Sequence, residues 1–380
     1  MTHAQLRLGI EPPFQPLPLG SGHYVAALQN KPGELDALRQ TANDTWSKFT
    51  PLIQIVGPKS PAKQIKAGNI TAWTGKILHA VGEHPMFLDI LRPHASHPVV
   101  NGKGEEMPLL ESIYRSARKR TLKFVPVFRV GETNRAHAAM VIDAAQEDGR
   151  GIALRWAVRS VTVPSGMTVA DYLGKLLTDL CSEVSRTDLL LDLGYIDQDT
   201  EIHPDDLGPI VSKALEVGDW RNVVLMGTSI PSMLGCVKEG TVGEIERREW
   251  TTWTEICKFG LSRRPAFGDY AIQSPIPPND VTGGGGIGRA NIRYTTTAST
   301  AVARGRGPWN QDGLEQYVGL CQKLLALREF SGARYTWGDG IIDGCARGDV
   351  DPESQRMWRG AGTSHHLRFV TDQLASSGAA

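Results

Sequence analysis

Eight short apolar runs recur down this 380-residue chain, and most of them end in a charged or polar side chain. They occupy residues 51–55, 86–90, 124–129, 152–156, 189–193, 223–226, 269–272 and 291–294. Each has strand length, and most are rich in β-branched or aromatic residues. Most are also followed by a stretch with apolar residues three and four apart, which is the pattern of repeated βα units. Eight such units close into an α/β fold of the (β/α)8 TIM-like kind, whose ligand site lies at the carboxyl ends of the strands. The sequence thus locates a site before it names a chemistry.

The helical stretches fall at about 61–80, 109–120, 136–147, 169–184, 205–217, 250–259 and 311–328, a spacing that suits an outer ring. Residues 24–28 read as an extra short strand before a helix-like segment at 34–39. Between the seventh and eighth runs, Pro275, Pro277, Pro278 and Gly283 to Gly286 break every periodic pattern, so the barrel is expected to be irregular there, with a long loop across its mouth. The chain exceeds the roughly 250 residues of a bare barrel. The expected organisation is an irregular arm at 1–20, the barrel at 21–330, and a helical tail at 331–380 packed on it.

Composition narrows the class. Lys+Arg and Asp+Glu are equal at 41 each, which argues against a surface that coats duplex nucleic acid. The five cysteines are scattered and never spaced as CxxC, as expected of reduced thiols in a cytoplasmic protein. Residues 1–20 hold four prolines and no apolar core, unlike a secretory signal, and no run reaches the roughly 18–20 apolar residues that span a bilayer.

Polar residues at the strand ends carry the chemistry. Side chains alternate along a strand, and an arginine beneath the helix layer would be a costly buried charge. Arg129, Arg155, Arg159 and Arg293 are therefore expected at the mouth with Asp89, Asp192 and Asp269. Four guanidiniums against three carboxylates leave it slightly positive, which suits a phosphate or carboxylate ligand gripped in bidentate fashion. Asp192, Asp89 and His365 are the candidates for moving protons. Arg–Asp pairs that satisfy one another without a ligand remain the alternative.

Other signals are weaker. Gly283, Gly285 and Gly288 spell GxGxxG, but a strand follows at once, so the dinucleotide version fails. The segment reads either as a lid or as a backbone cradle for phosphate in which Gly285 would contact the ligand. Asp192, Asp197, Asp199 and His203 could hold Mg2+ or Mn2+, or could simply cap the helix that follows. The latter is adopted, so no metal ligand is assigned and no motif names a cofactor. There is no GxSxG, HExxH or Walker sequence. In the tail, Thr363 reads as the N-cap of a helix whose stripe is Leu367, Val370 and Leu374. His366 lies beside that stripe and is assigned to ligand binding, while His365 is turned about 100° away and is free for catalysis.

Several segments together resemble the beta family proteins, found in phage genomes and bacterial defence-associated loci. They are Tyr24-Val25 with Gly33-Glu34-Leu35-Asp36-Ala37-Leu38, Pro51-Leu52-Ile53-Gln54-Ile55, Leu190-Leu191-Asp192-Leu193-Gly194, and Trp358-Arg359 with Gly362 and His365-His366. The family more often carries Pro-Leu-Ile-Glu-Ile, so Gln54 replaces an acid at a strand end and joins the ligand-binding set. The resemblance implies a role in phage conflict and names no reaction. Two expectations follow. One is an enzyme that hydrolyses or modifies a phosphate-bearing substrate such as a nucleotide or nucleic-acid end. The other is a catalytically silent barrel that senses an anionic ligand or binds a protein partner from a defence locus.

Overall fold

The computed structural model describes residues 22–57, 65–92, 97–199, 202–275, 289–308 and 313–377. Eight strands, all paired in parallel, close a barrel: β1 (Tyr24–Gln29), β2 (Phe49–Val56), β4 (Met86–Arg92), β7 (Phe124–Arg129), β8 (Ile152–Ala157), β9 (Thr187–Tyr195), β10 (Asn222–Thr228) and β12 (Ala266–Asp269). The remaining strands form two three-stranded sheets. One contains β3 (Ile65–Lys66), β5 (Pro98–Val100) and β6 (Glu106–Pro108), and the other β11 (Val242–Glu246), β13 (Arg289–Thr295) and β14 (Ser299–Pro308). Both sheets are built from segments that follow barrel strands, so they rise on the carboxyl-end side.

The helices are α1 (Pro32–Arg39), α2 (Asn43–Trp46), α3 (Ala67–Val81), α4 (Leu109–Lys119), α5 (Arg135–Asp148), α6 (Val169–Asp179), α7 (Pro204–Leu215), α8 (Arg248–Cys257), α9 (Gln316–Leu325), α10 (Trp337–Arg347) and α11 (Gln355–Ser376). The TIM-like barrel expected from the sequence is present, with one strand exchanged. Residues 24–28, read as an extra strand, are barrel strand β1, hydrogen-bonded between β2 and β12. Residues 291–294, read as the eighth barrel strand, lie in β13, which pairs antiparallel with β14. The seventh run is also displaced, because β12 ends at Asp269 rather than starting there. The arm at 1–20 and Gly285 lie outside the described residues.

Alternation along the strands sorts two cores. Inward-facing Val25, Ala27, Leu52, Phe87, Val125, Val127, Ala153, Leu190, Val224 and Met226 fill the lumen, which is a packed interior rather than a pore. Outward-facing residues such as Tyr24, Ile53, Leu154 and Phe267 meet the helix ring. A separate apolar cluster joins β13 and β14 to α9, α10 and α11 through Ile292, Tyr294, Tyr317, Leu324, Ile342 and Trp358.

The tail helix α11 docks by close backbone approach. A Cβ on Gly33 would stand 2.5 Å from the Arg356 carbonyl oxygen, and one on Gly362 2.5 Å from that of Arg293. A Cβ on Gly338 would run into the Ala361 carbonyl. Thr363, expected to cap the helix, lies in its interior and is buried, because α11 starts at Gln355. Within the helix, the small residues Gly360-Ala361-Gly362 allow α1 and β13 to come close. No helix among the described residues is long and apolar enough to cross a membrane.

Candidate functional site

Above the apolar lumen layers, the next inward-facing positions are polar: Gln29, Gln54, Asp89, Arg129, Arg155 and Asp192. Each follows from two-residue periodicity: Val25, Ala27, Gln29 on β1; Leu52, Gln54 on β2; Phe87, Asp89 on β4; Val125, Val127, Arg129 on β7; Ala153, Arg155 on β8; Leu190, Asp192 on β9. Parallel pairing then brings them together, with Gln29 opposite Gln54, Gln54 opposite Asp89 and Arg129 opposite Arg155.

Arg155 is the hub. Its Nη1 donates to Asp89 Oδ2 at 2.5 Å and its Nε to Asp192 Oδ2 at 3.0 Å. Nη2 donates to the Tyr270 hydroxyl at 2.6 Å, and that hydroxyl donates to Asp192 Oδ2 at 2.6 Å. Turning the Gln54 amide so that its oxygen faces the guanidinium lets it accept from Nη1 at 2.6 Å. Asp192 Oδ1 accepts from the Gly194 amide at 2.9 Å. Arg155, Asp89, Asp192, Tyr270 and Gln54 are all buried, with Gln54 at 0 % and Arg155 at 7 % exposure. Burial on its own would raise the Asp89 carboxyl, but the Arg129 and Arg155 guanidiniums outweigh it and hold the group below the usual carboxylate range. Burial pushes the Tyr270 hydroxyl far up, so it serves as a neutral donor.

Arg129 differs from Arg155. Its Nε and Nη2 donate to Asp89 at 3.1 and 3.0 Å, but its side chain is 36 % exposed, and Nη1 has no partner among the described residues. Exposed Arg159 stands at the same rim, donating to the Tyr195 carbonyl at 2.8 Å. Among the described residues the lumen therefore carries two carboxylates against two guanidiniums, and Arg159 adds a cation at the rim.

Four predicted residues lie elsewhere. Asp269 closes β12 on its outward face, because Gly268 points inward against Met226 and Val224. There Asp269 accepts from the Tyr24 hydroxyl and stands 2.9 Å from His366 Nε2, while His366 Nδ1 meets Thr295 Oγ1 at 2.7 Å. Burial lowers the His366 pKa, with Asp269 opposing it. His365, expected to be free, is fully buried: Nδ1 is 3.1 Å from Asp339 Oδ2, Nε2 is 2.8 Å from the Thr295 carbonyl, and the ring stacks on Tyr294 with centroids 3.8 Å apart. Both histidines pin α11 to the body instead of facing the mouth. Arg293 is likewise out of the lumen, donating to the Ile272 carbonyl. Burial and Arg359 push its pKa down to about 10, against the pull of Glu34.

The acidic loop after β9 makes a turn, with the Asp199 amide on Asp197 Oδ1 at 2.9 Å, and His203 precedes the first turn of α7. Among the described residues, no group of three or more His, Cys, Asp or Glu is placed to hold a metal ion.

Two residues escaped the sequence reading. Tyr270 lies one residue beyond β12 and completes the Arg155–Asp192 contact. Glu34, in the first turn of α1, is fully buried and accepts from the Gln29 amide. Burial raises its carboxyl above the ordinary value despite nearby Arg359, Lys31 and Arg293. The phenol next to Asp269 and the acid at the head of a helix were the available signals.

The barrel, the polar layer at its mouth and the tail helix are spanned as one unit by the family model for Beta protein, which matches residues 24–372. The chain belongs to the Beta protein family. No curated protein matches it significantly. In this Beta protein family member the segments that carried the resemblance are structural: Gly33 and Gly362 seat α11, Asp192 holds Arg155, and His365 and His366 are buried contacts.

Proposed function

We propose that the mouth of the barrel receives a small phosphate-bearing ligand, in the setting of phage defence that the family resemblance implies. The observation that carries this reading is the contrast between two arginines that share Asp89. Arg155 has each nitrogen engaged and forms a fixed floor. Arg129 is half-exposed, is oriented by Asp89 through two nitrogens and keeps Nη1 for a ligand. A guanidinium already held in place loses little side-chain entropy on binding an oxyanion, and its fork matches phosphate geometry. Arg159 adds a second cation at the rim.

Sensing is favoured over turnover. Asp89 is kept ionised and doubly paired, Tyr270 is kept neutral, Asp192 is tied to Arg155 and Tyr270, and His365 and His366 are remote, so among the described residues none of these candidates is left unengaged at the mouth to move a proton.

The test is a nucleotide panel with inorganic phosphate, with and without Mg2+, read by thermal stabilisation and by product formation. The expected result is a dose-dependent rise in Tm for at least one phosphate-bearing compound, without turnover. Arg129→Ala should weaken the binding roughly tenfold or more, the worth of one charge-assisted contact. Turnover abolished by Asp192→Asn would replace sensing with catalysis. An unchanged response in Arg129→Ala would remove the site from the mouth.

A further inference from the structure

A cavity of about 210 Å3 lies between the turn after α1, the start of α10 and the middle of α11. It is remote from the mouth, since residues 40–42 return the chain from the end of α1 towards Phe49, where β2 begins. Its wall includes Arg334, Arg368, Ser364, Tyr335 and Trp337, and no carboxylate lines it.

Two features of the wall suit an anion. Ser364 is only 5 % exposed as a residue and borders the cavity, and its hydroxyl makes no hydrogen bond to another described residue, so it is open to a ligand or to solvent there. Arg334 also borders the cavity and has no ion-pair partner among the described residues. Arg368 is by contrast fixed, through Nε on Asp372 at 2.8 Å and Nη1 on Asp44 at 2.7 Å, with its guanidinium 5.9 Å from the Tyr335 ring centroid. One cation is thus preset and another is available, beside two aromatic side chains.

We infer that this cavity is a second binding site, for a small oxyanion held by the Arg334 guanidinium and the Ser364 hydroxyl, with the ligand's body against Trp337 and Tyr335. The volume falls below the roughly 300 Å3 at which drug-sized pockets begin, so the ligand is small. A carboxylate and a phosphate share this chemistry, and they differ in whether a flat organic body contributes.

The experiment is a tryptophan-fluorescence titration of the full chain with benzoate and, separately, with inorganic phosphate, with a thermal melt confirming that each variant is folded. Saturable binding at millimolar probe is expected, with the signal change absent in Trp337→Phe. Arg334→Ala, at an exposed position, should weaken it roughly ten- to hundredfold, and Ser364→Ala severalfold. Tighter binding of benzoate identifies a carboxylate with a planar body, and tighter binding of phosphate the inorganic or ester anion. No saturable binding of either probe to the folded wild type overturns the inference. So does an affinity in Arg334→Ala equal to wild type, or a signal lost in Arg129→Ala, which would put the anion at the mouth.

Discussion

Replacing Arg155 by methionine keeps most of the side-chain volume in the lumen and removes its charge. Asp89 would retain Arg129, whereas Asp192 would keep only the Tyr270 hydroxyl and the Gly194 amide. Both carboxylates are nearly inaccessible, at 4 % and 6 % exposure, so no water replaces the lost cation. Breaking a buried pair in this way costs about 3–5 kcal/mol. At roughly 2.1 cal/mol/K of unfolding entropy per residue, a chain of this length should lose about 4–6 °C in Tm at pH 7. The sign with pH follows from which state holds the proton. A buried carboxyl without its cation has a folded pKa above its unfolded value, so its penalty is full at high pH and vanishes below about pH 4. In the parent, Asp89 is held below its ordinary value, so the stability it contributes is present above about pH 4 and lost as pH falls through the folded pKa. The gap between variant and parent must therefore narrow on acidification. Circular-dichroism melts at pH 7 and at about pH 4 measure it. A Tm loss under about 1 °C at neutral pH, or a gap that widens in acid, would refute the claim that Arg155 neutralises this layer.

Three further outcomes are expected. His23, buried with Nε2 2.9 Å from Thr50 Oγ1, is pushed down to about 4 by burial. Its contribution is intact above the unfolded pKa of about 6.5 and is lost between there and about pH 4, by up to about 3 kcal/mol. Urea titrations should show this slope reduced in His23→Gln. Gly338→Ala should cost about 1–3 kcal/mol by overpacking, because the obstructing Ala361 carbonyl is backbone and cannot rotate away. Gly174→Ala, with nothing within 4 Å, should leave the urea midpoint unchanged or raised.

Much of the barrel is legible in sequence because its strands are continuous apolar runs buried on both faces. The exchange of one strand was legible too. Tyr24-Val25-Ala26-Ala27-Leu28 is apolar throughout, as parallel strands are, whereas β13 alternates Arg289, Asn291 and Arg293 with Ala290, Ile292 and Tyr294, as a half-covered antiparallel strand does. Asp89, Arg129, Arg155, Asp192 and Gln54 came together because period-two alternation and parallel register act over short distances. Asp269 failed by one position, since placing β12 three residues late hid which face it occupies. The histidines failed for another reason. Their helix finds its place through Gly33, Gly338 and Gly362 contacts with distant segments, and local periodicity carries no information about docking at that range.

The burial of His365 and His366 bears on how this molecule is assembled. Barrel strands β1 and β12 lie side by side at the closing seam, and their Tyr24–Asp269 contact is completed by an imidazole from α11. During translation that helix emerges after every stave of the cylinder. The seam is consequently finished only after His366 has been made, and nascent chains halted before it would carry an unlatched barrel for chaperones and proteases to recognise.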